Sequence, residues 1–218
     1  MSDTPVIQIQ DLIRRYGKLD VVNGLNLTVE PGRCYGFFGR NGAGKTTTIK
    51  CLLNLLRPAS GTVRVFGLDP QRHEVVVKSR LAYVPDAVPF YPWMTVRDTL
   101  DYFASFRSHW NRDIQDDLIG RFQLNPNQKA GAMSRGRKTQ LALIGAVCPE
   151  PELLLLDEPT SGLDPIVRRE FIETVIGNAL AMAGTLGTGE QTPDRACSNG
   201  KPFRLGRAGK WFSVGPRG

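Results

Sequence analysis

Hydrophobic and polar positions alternate through Val6-Ile7-Gln8-Ile9-Gln10 and again through Leu25-Asn26-Leu27-Thr28-Val29, the period of two that predicts strands. A Pro31-Gly32 turn separates the second run from a third, Cys34-Tyr35-Gly36-Phe37-Phe38. After Gly39 the period changes. Ile49, Leu52, Leu53 and Leu56 fall on one side of a predicted helix over 46–56, which stops before Pro58. Residues 62–66 predict a further strand. Asp69-Pro70 offers an N-cap and a first-turn proline for a helix to about residue 80, and 81–84 reads as another strand. Thr95-Val96-Arg97-Asp98 has the form of a capping box and opens a helix through residue 106; a second helix covers roughly 113–122, followed by a polar connector over 125–131. Leu153 to Leu156 is a continuous apolar run, as in a parallel strand buried on both faces, and Asp164-Pro165 starts one more capped helix. Strands alternating with helices imply an α/β fold around a parallel sheet. From Gly177 no period is sustained, glycine takes nine of the last 42 positions, and 177–218 reads as a poorly specified tail.

The length of 218 residues, with 41% hydrophobic and 22% charged side chains, fits one globular domain or one core with a small subdomain. Fibrous and fully disordered readings are excluded. No apolar stretch approaches the roughly 20 residues needed to cross a bilayer. The start, MSDTPVIQIQ, has no basic region followed by an apolar core, so no secretory leader is expected. Cys34, Cys51, Cys148 and Cys197 are far apart without CxxC spacing, which favours a reducing, cytoplasmic setting and argues against a zinc site. The net charge of +7 invites a partner that carries phosphate. Yet the tail alone holds six basic and two acidic residues, so the body is nearly balanced, and nucleic acid is not expected as a partner.

Two constellations carry chemistry. Gly39-Arg40-Asn41-Gly42-Ala43-Gly44-Lys45-Thr46 matches GxxxxGK[ST] between a predicted strand and a predicted helix, the context that a phosphate-binding loop requires. Its glycines let successive N–H groups converge on phosphate oxygens at a helix start, Lys45 reaches the β- and γ-phosphates, and Thr46 offers a hydroxyl to Mg2+. Thr47 extends the candidate nucleotide-binding set. The second constellation is Asp157-Glu158, closing the apolar strand. Alone, such a pair is more often a helix N-cap or a solvated strand end; beside a phosphate loop, Asp157 is expected to hold Mg2+, through water, and Glu158 to polarise the attacking water.

These residues resemble the ATP-binding cassette (ABC) family over about 6–176, most specifically through Asp157-Glu158-Pro159-Thr160-Ser161-Gly162-Leu163-Asp164-Pro165, which joins the acid pair to the family's D-loop. The resemblance implies a P-loop NTPase core with a parallel sheet, an N-terminal antiparallel β subdomain and a small helical subdomain at about 87–150, all within an ATPase domain over 1–176. It implies that Tyr16 is similar to the aromatic that stacks on adenine, against the plainer reading of a strand aromatic. It makes Asp86, in Tyr83-Val84-Pro85-Asp86, stand where the family presents Gln or Glu to metal and water. A turn-capping acid is the competing reading, and direct reach to the metal is in doubt because aspartate is shorter by one methylene. Ala132-Met133-Ser134-Arg135-Gly136-Arg137-Lys138 occupies the place of the LSGGQ signature; Ser134 and Gly136 match, while Arg135 and Arg137 depart from it. There the competing reading is a solvated charged face.

The resemblance further implies ATP and Mg2+ as cofactors and a head-to-tail pair of cassettes, identical or not. Ser134 and Gly136 of one cassette would face nucleotide held by the other. Transport would run through separate integral membrane subunits gripping a groove beside Asp86 and the helix from Thr95, with the chain on the inner face of the cell membrane. Wording such as Tyr91-Pro92-Trp93-Met94-Thr95-Val96-Arg97 looks most like cassettes of bacterial ABC-2-type exporters. The match fails after Ile176. The family's γ-phosphate histidine has no counterpart, since His73 and His109 both precede the acid pair. The last core strands are expected to be missing as well. A divergent terminus and a reading-frame shift near Gly177 both explain this, and the second implies a cassette that binds ATP with little hydrolysis. An ABC-type ATPase acting on nucleic acid is the remaining alternative, supported only by the positive charge.

Overall fold

The computed structural model describes residues 4–31, 33–38, 42–158, 203–204 and 211–215, with 33–34, 36–38, 203–204 and 211–215 as backbone alone. The first half holds strands β1 (Ile7–Tyr16), β2 (Leu19–Val29), β3 (Arg33–Phe38), helix α1 (Lys45–Leu52), β4 (Ser60–Val65), α2 (Glu74–Ser79) and β5 (Leu81–Val84). The second half adds helices α3 (Val96–Ala104), α4 (Arg112–Arg121), α5 (Arg135–Val147) and strands β6 (Leu153–Asp157), β7 (Phe203–Arg204) and β8 (Trp211–Gly215). One sheet is antiparallel, in the order β2-β1-β4; the other runs β5-β6-β8-β3-β7, parallel except for β7 at its edge.

The β1–β2 hairpin reaches well past the alternation visible at either end of it. Asp11, with φ 47°, breaks the period, and its N–H donates to Asn26 Oδ1 (2.9 Å) while Asn26 Nδ2 donates back to Asp11 Oδ1 (2.8 Å). This bulge shifts the side-chain phase, which is why residues 11–24 do not read as strand from pattern alone. Gly61 of β4 fits against it because a Cβ there would stand 2.4 Å from the Asp11 carbonyl oxygen.

Along β5 and β6 the two faces of the parallel sheet separate by residue parity. Ala82, Val84, Leu154 and Leu156 pack with Val96 and Leu100 of α3, Leu118 of α4 and Leu141 of α5. Leu81, Leu153 and Leu155 pack on the opposite side with Ile49 and Leu52 of α1 and with Ile7, Ile9 and Leu12 of the antiparallel sheet. An unbroken leucine run is thus consumed by two cores, each fully buried side chain contributing about 1.5–3 kcal/mol of hydrophobic stabilisation. In the helical layer, the ring of Phe103 in α3 lies where a Cβ on Gly145 of α5 would come within 2.5 Å of it.

Two local expectations are corrected. The helix expected from Asp69-Pro70 begins only at Glu74, because the Asp69 carboxylate accepts from Gln71 N–H (2.9 Å) and its carbonyl accepts from His73 N–H (2.9 Å), closing a turn first. The helix expected over 46–56 ends at Leu52, where Asn54 turns left-handed at φ 55°. The capping box holds: Thr95 N–H donates to Asp98 Oδ2 (3.0 Å) and Asp98 N–H to Thr95 Oγ1 (3.1 Å). Where the sheet is expected to lose strands, β8 lies between β6 and β3, pairing with both. Five residues flanked by Lys210 and closing at Gly215 are too few to show a period; pairing on both sides supplies what local pattern lacks.

Candidate functional site

The parallel order brings the end of β6 beside the start of α1. Between them opens a cleft of about 280 Å3 lined by Val21, the 42–47 loop, Asp86, Asp157 and Glu158. Gly44, at φ 81°, starts α1 with no side-chain cap, and a Cβ there would lie 2.6 Å from the Val21 carbonyl oxygen. Only glycine fits both the turn and the space. Among the described residues no side-chain cap closes the helix start that faces the cleft, the arrangement in which first-turn N–H groups receive an anion.

Lys45 is 5% exposed and its Nζ lies 3.3 Å from Glu158 Oε1. Thr46 Oγ1 donates to Asp157 Oδ1 at 3.1 Å, and the Tyr83 hydroxyl makes a longer contact, 3.4 Å, with Asp157 Oδ2. Asp157 is the last residue of β6, and Glu158 takes a left-handed backbone at φ 48°, uncommon for a residue other than glycine. That turn breaks the strand's alternation, so consecutive acids reach one cleft instead of opposite faces. Burial holds the Asp157 carboxyl above its ordinary range; the hydrogen bonds from Thr46 and Tyr83 pull it back down, and the charges of Glu158 and Asp86 push it up again. Burial and the Asp157 charge likewise raise the Tyr83 phenol.

Of the residues singled out from sequence, Gly42, Ala43, Gly44, Lys45, Thr46, Thr47, Asp86, Asp157 and Glu158 come together here. Gly39, Arg40 and Asn41 lie outside the described residues, as do the D-loop positions 159–165. Tyr16, Ser134 and Gly136 do not line the cleft. The Tyr16 ring stands at the end of β1 with the Arg14 guanidinium 4.8 Å from its centroid. Ser134 caps α5, its Oγ accepting from Arg137 N–H at 3.3 Å. His73 stands at the N-cap position of α2 without a side-chain capping bond, and His109 pairs with Glu150 at 2.5 Å; neither borders the cleft.

Sequence reasoning missed Tyr83 and Arg135. Tyr83 stands opposite Leu155 in the β5–β6 register, a pairing that no local pattern encodes. Arg135 Nη2 lies 2.5 Å from Asp86 Oδ1, across 49 positions of chain.

The donor set suits a hard cation. Thr46 and Asp157 present oxygen atoms, and three carboxylates face one lysine, an imbalance that a divalent ion offsets when a triphosphate enters. Among the described residues no three acids, histidines or cysteines close on one point, so the protein alone would give Mg2+ only part of its shell, leaving the rest to phosphate and water.

The family model described as "ABC transporter" matches residues 22–161. The chain is 38% identical over 168 residues to the bacitracin transport ATP-binding protein of Bacillus licheniformis, covering 76% of this chain and 55% of that one. It is 37% identical over 173 residues to the Nod factor export ATP-binding protein I of Burkholderia pseudomallei, covering 77% and 57%. The chain thus spans little more than half the length of the curated relatives it matches. A solved ATP-binding subunit of an ABC transporter superposes with a TM-score of 0.74 at 22% identity, over 96% of this chain and 79% of that one, and shows the fold to be shared. With its glycine loop and acid pair at the ends of adjacent elements of that fold, the chain belongs to the ABC transporter family.

Proposed function

We propose that this chain binds and hydrolyses ATP and couples nucleotide-driven pairing of two cassettes to movement of separate membrane subunits in an export system. The observation that carries it is the buried Lys45 poised between Glu158 and the open start of α1. A γ-phosphate entering the cleft would replace Glu158 as the partner of Lys45. Glu158, released, would accept a proton from the attacking water while Lys45 and the 42–47 backbone hold the phosphate. Thr46 and Asp157, already bonded to each other, are the residues that would hold Mg2+, with Asp86 at the rim. The ion would spread the charge of the transferring phosphoryl group. Ser134 and Gly136, away from this cleft, suit contact with nucleotide held by a second cassette.

Support for a membrane partner comes from an aromatic cluster formed by α3 and the segments on either side of it. Tyr91, Trp93, Tyr102 and Phe106 are exposed yet stack on one another, with ring centroids 4.9–5.9 Å apart. Such a cluster on the surface marks an interaction site. Among the described residues no helix is long and apolar enough to cross a membrane, so a transport path would belong to other subunits, and the cassette would sit on the inner face of the cell membrane. Likeness to the bacitracin transport protein supports a transport role, and likeness to the Nod factor export protein supports export as the direction.

Calorimetry and a phosphate-release assay on the full chain test the reading. Lys45→Ala is expected to abolish Mg-ATP binding, and full affinity in that variant would overturn the assignment. Glu158→Gln is expected to keep binding and to lose about 10²–10⁴-fold in turnover. A second reading, a cassette that binds without useful hydrolysis, is favoured by the position of both histidines outside the cleft. Tight binding with no phosphate release by the unaltered chain selects it.

A further inference from the structure

We infer that Arg135 is a positioning residue for nucleotide entry: paired with Asp86 at the rim of the cleft, it neutralises the one carboxylate there that no cleft lysine or hydroxyl is shown to engage. The inference rests on the reading of the cleft as a nucleotide site. Inside the cleft the other two acids are already engaged, Glu158 by Lys45 and Asp157 by Thr46 and Tyr83. Asp86 faces the same space, and its charge reaches far enough to raise the Asp157 carboxyl. Its counter-charge comes from outside, from the first residue of α5, with Arg135 Nη2 2.5 Å from Asp86 Oδ1.

The pair is half exposed, Arg135 at 54% and Asp86 at 46%, so it contributes little to folding. Its effect falls instead on what enters the cleft. An uncompensated carboxylate at the rim opposes entry of a triphosphate, by about tenfold once salt screening is counted. Arg135 removes that opposition without occupying the cleft. It also ties the cleft rim to the start of the helix that carries Ser134 and Gly136, so that a departure from the signature pattern and an unusual acid at position 86 offset each other.

The test is calorimetric titration of the full chain with ATP in EDTA and with ATP plus Mg2+, at low and high salt, alongside thermal melts. Arg135→Gln is expected to weaken metal-free ATP binding about tenfold and Mg-ATP binding about threefold, since the cation then compensates Asp86. Its melting temperature should stay within about 2 °C of the unaltered chain. Arg135→Lys should retain most of the affinity, high salt should shrink the difference, and Asp86→Asn combined with Arg135→Gln should return metal-free binding to within about twofold. Affinity unchanged in Arg135→Gln, or a loss that Asp86→Asn does not restore, overturns the inference while leaving the nucleotide reading standing. Absence of ATP binding by the unaltered chain overturns both.

Discussion

The cleft at the start of α1 and the aromatic face beside α3 are built on opposite principles. In the cleft, Lys45 and Asp157 are buried and engaged in advance, Lys45 by Glu158 and Asp157 by Thr46 and Tyr83. Beside α3, Tyr91 and Trp93 before the helix, Tyr102 within it and Phe106 after it leave aromatic surface in water, Trp93 at 65% and Phe106 at 69% exposure, and stack on one another. A small, highly charged ligand is held by fixed charges that need not reorganise, whereas a protein partner is held by apolar area it can cover. The difference lies in the elements beneath. The cleft stands on α1, whose Leu52 fills one core with Leu153 and Leu155 of β6, and the aromatic face flanks α3, whose inner side fills the other core with Leu154 and Leu156.

The largest effects should come from separating those cores. Leu52 in α1 and Leu100 in α3 are both fully buried, so alanine at either position should cost about 2–5 kcal/mol of folding stability in denaturant melts. Their consequences for ATP should diverge. Leu52→Ala loosens the helix that backs the phosphate loop and should lower ATP affinity by more than tenfold in calorimetry; Leu100→Ala should leave it within about threefold. Equal losses of affinity would mean that the two regions are not energetically distinct.

A smaller effect should follow from Asp157, where the cleft gives up stability for function. Because burial raises its carboxyl pKa in the folded chain, the fold binds more protons than the unfolded chain between the ordinary carboxylate value and the raised one. Stability contributed by this group therefore falls as pH rises through that window and stays lower above it. Asp157→Asn removes the penalty while keeping an acceptor for Thr46. At neutral pH and without nucleotide it should be more stable by about 0.5–2 kcal/mol, with the gain shrinking as pH falls through that window toward the ordinary carboxylate value. Mg2+-dependent tightening of ATP binding should be lost in the same variant. A gain that grows toward acid pH would contradict the sign.

What was legible in the sequence was what is local. The glycine loop, Lys45 and Thr46 sit within eight positions, and the end of the leucine run marks where Asp157 and Glu158 leave the sheet. What was not legible depends on pairing at a distance. Tyr83 meets Asp157 only because β5 lies beside β6, and Arg135 meets Asp86 only because α5 packs against β5. The hairpin over residues 11–24 was hidden by a bulge that shifts the phase of alternation, and β8 by its shortness. Asp69-Pro70 shows the reverse error, in which a sound helix-start signal lost to a side-chain turn that satisfied the same backbone groups one step earlier.

The smallest effect on the fold should come from the aromatic face, and that is what makes it informative. Trp93 and Phe106 are exposed, and both sit outside the packed helical core. Trp93→Ser and Phe106→Ser should each change stability by no more than about 0.5 kcal/mol and leave ATP affinity unaltered. If the face receives a membrane subunit, the double variant should retain nucleotide binding yet fail to co-purify with that subunit and lose any stimulation of phosphate release by it. Full co-purification in the double variant would move the docking surface elsewhere on the cassette. Aggregation resistance is a second readout, because removing two large aromatic side chains from water lowers self-association whatever partner covers them. A variant that becomes more soluble while still capturing the subunit would separate the two properties, leaving exposed apolar area on α3 without the docking role.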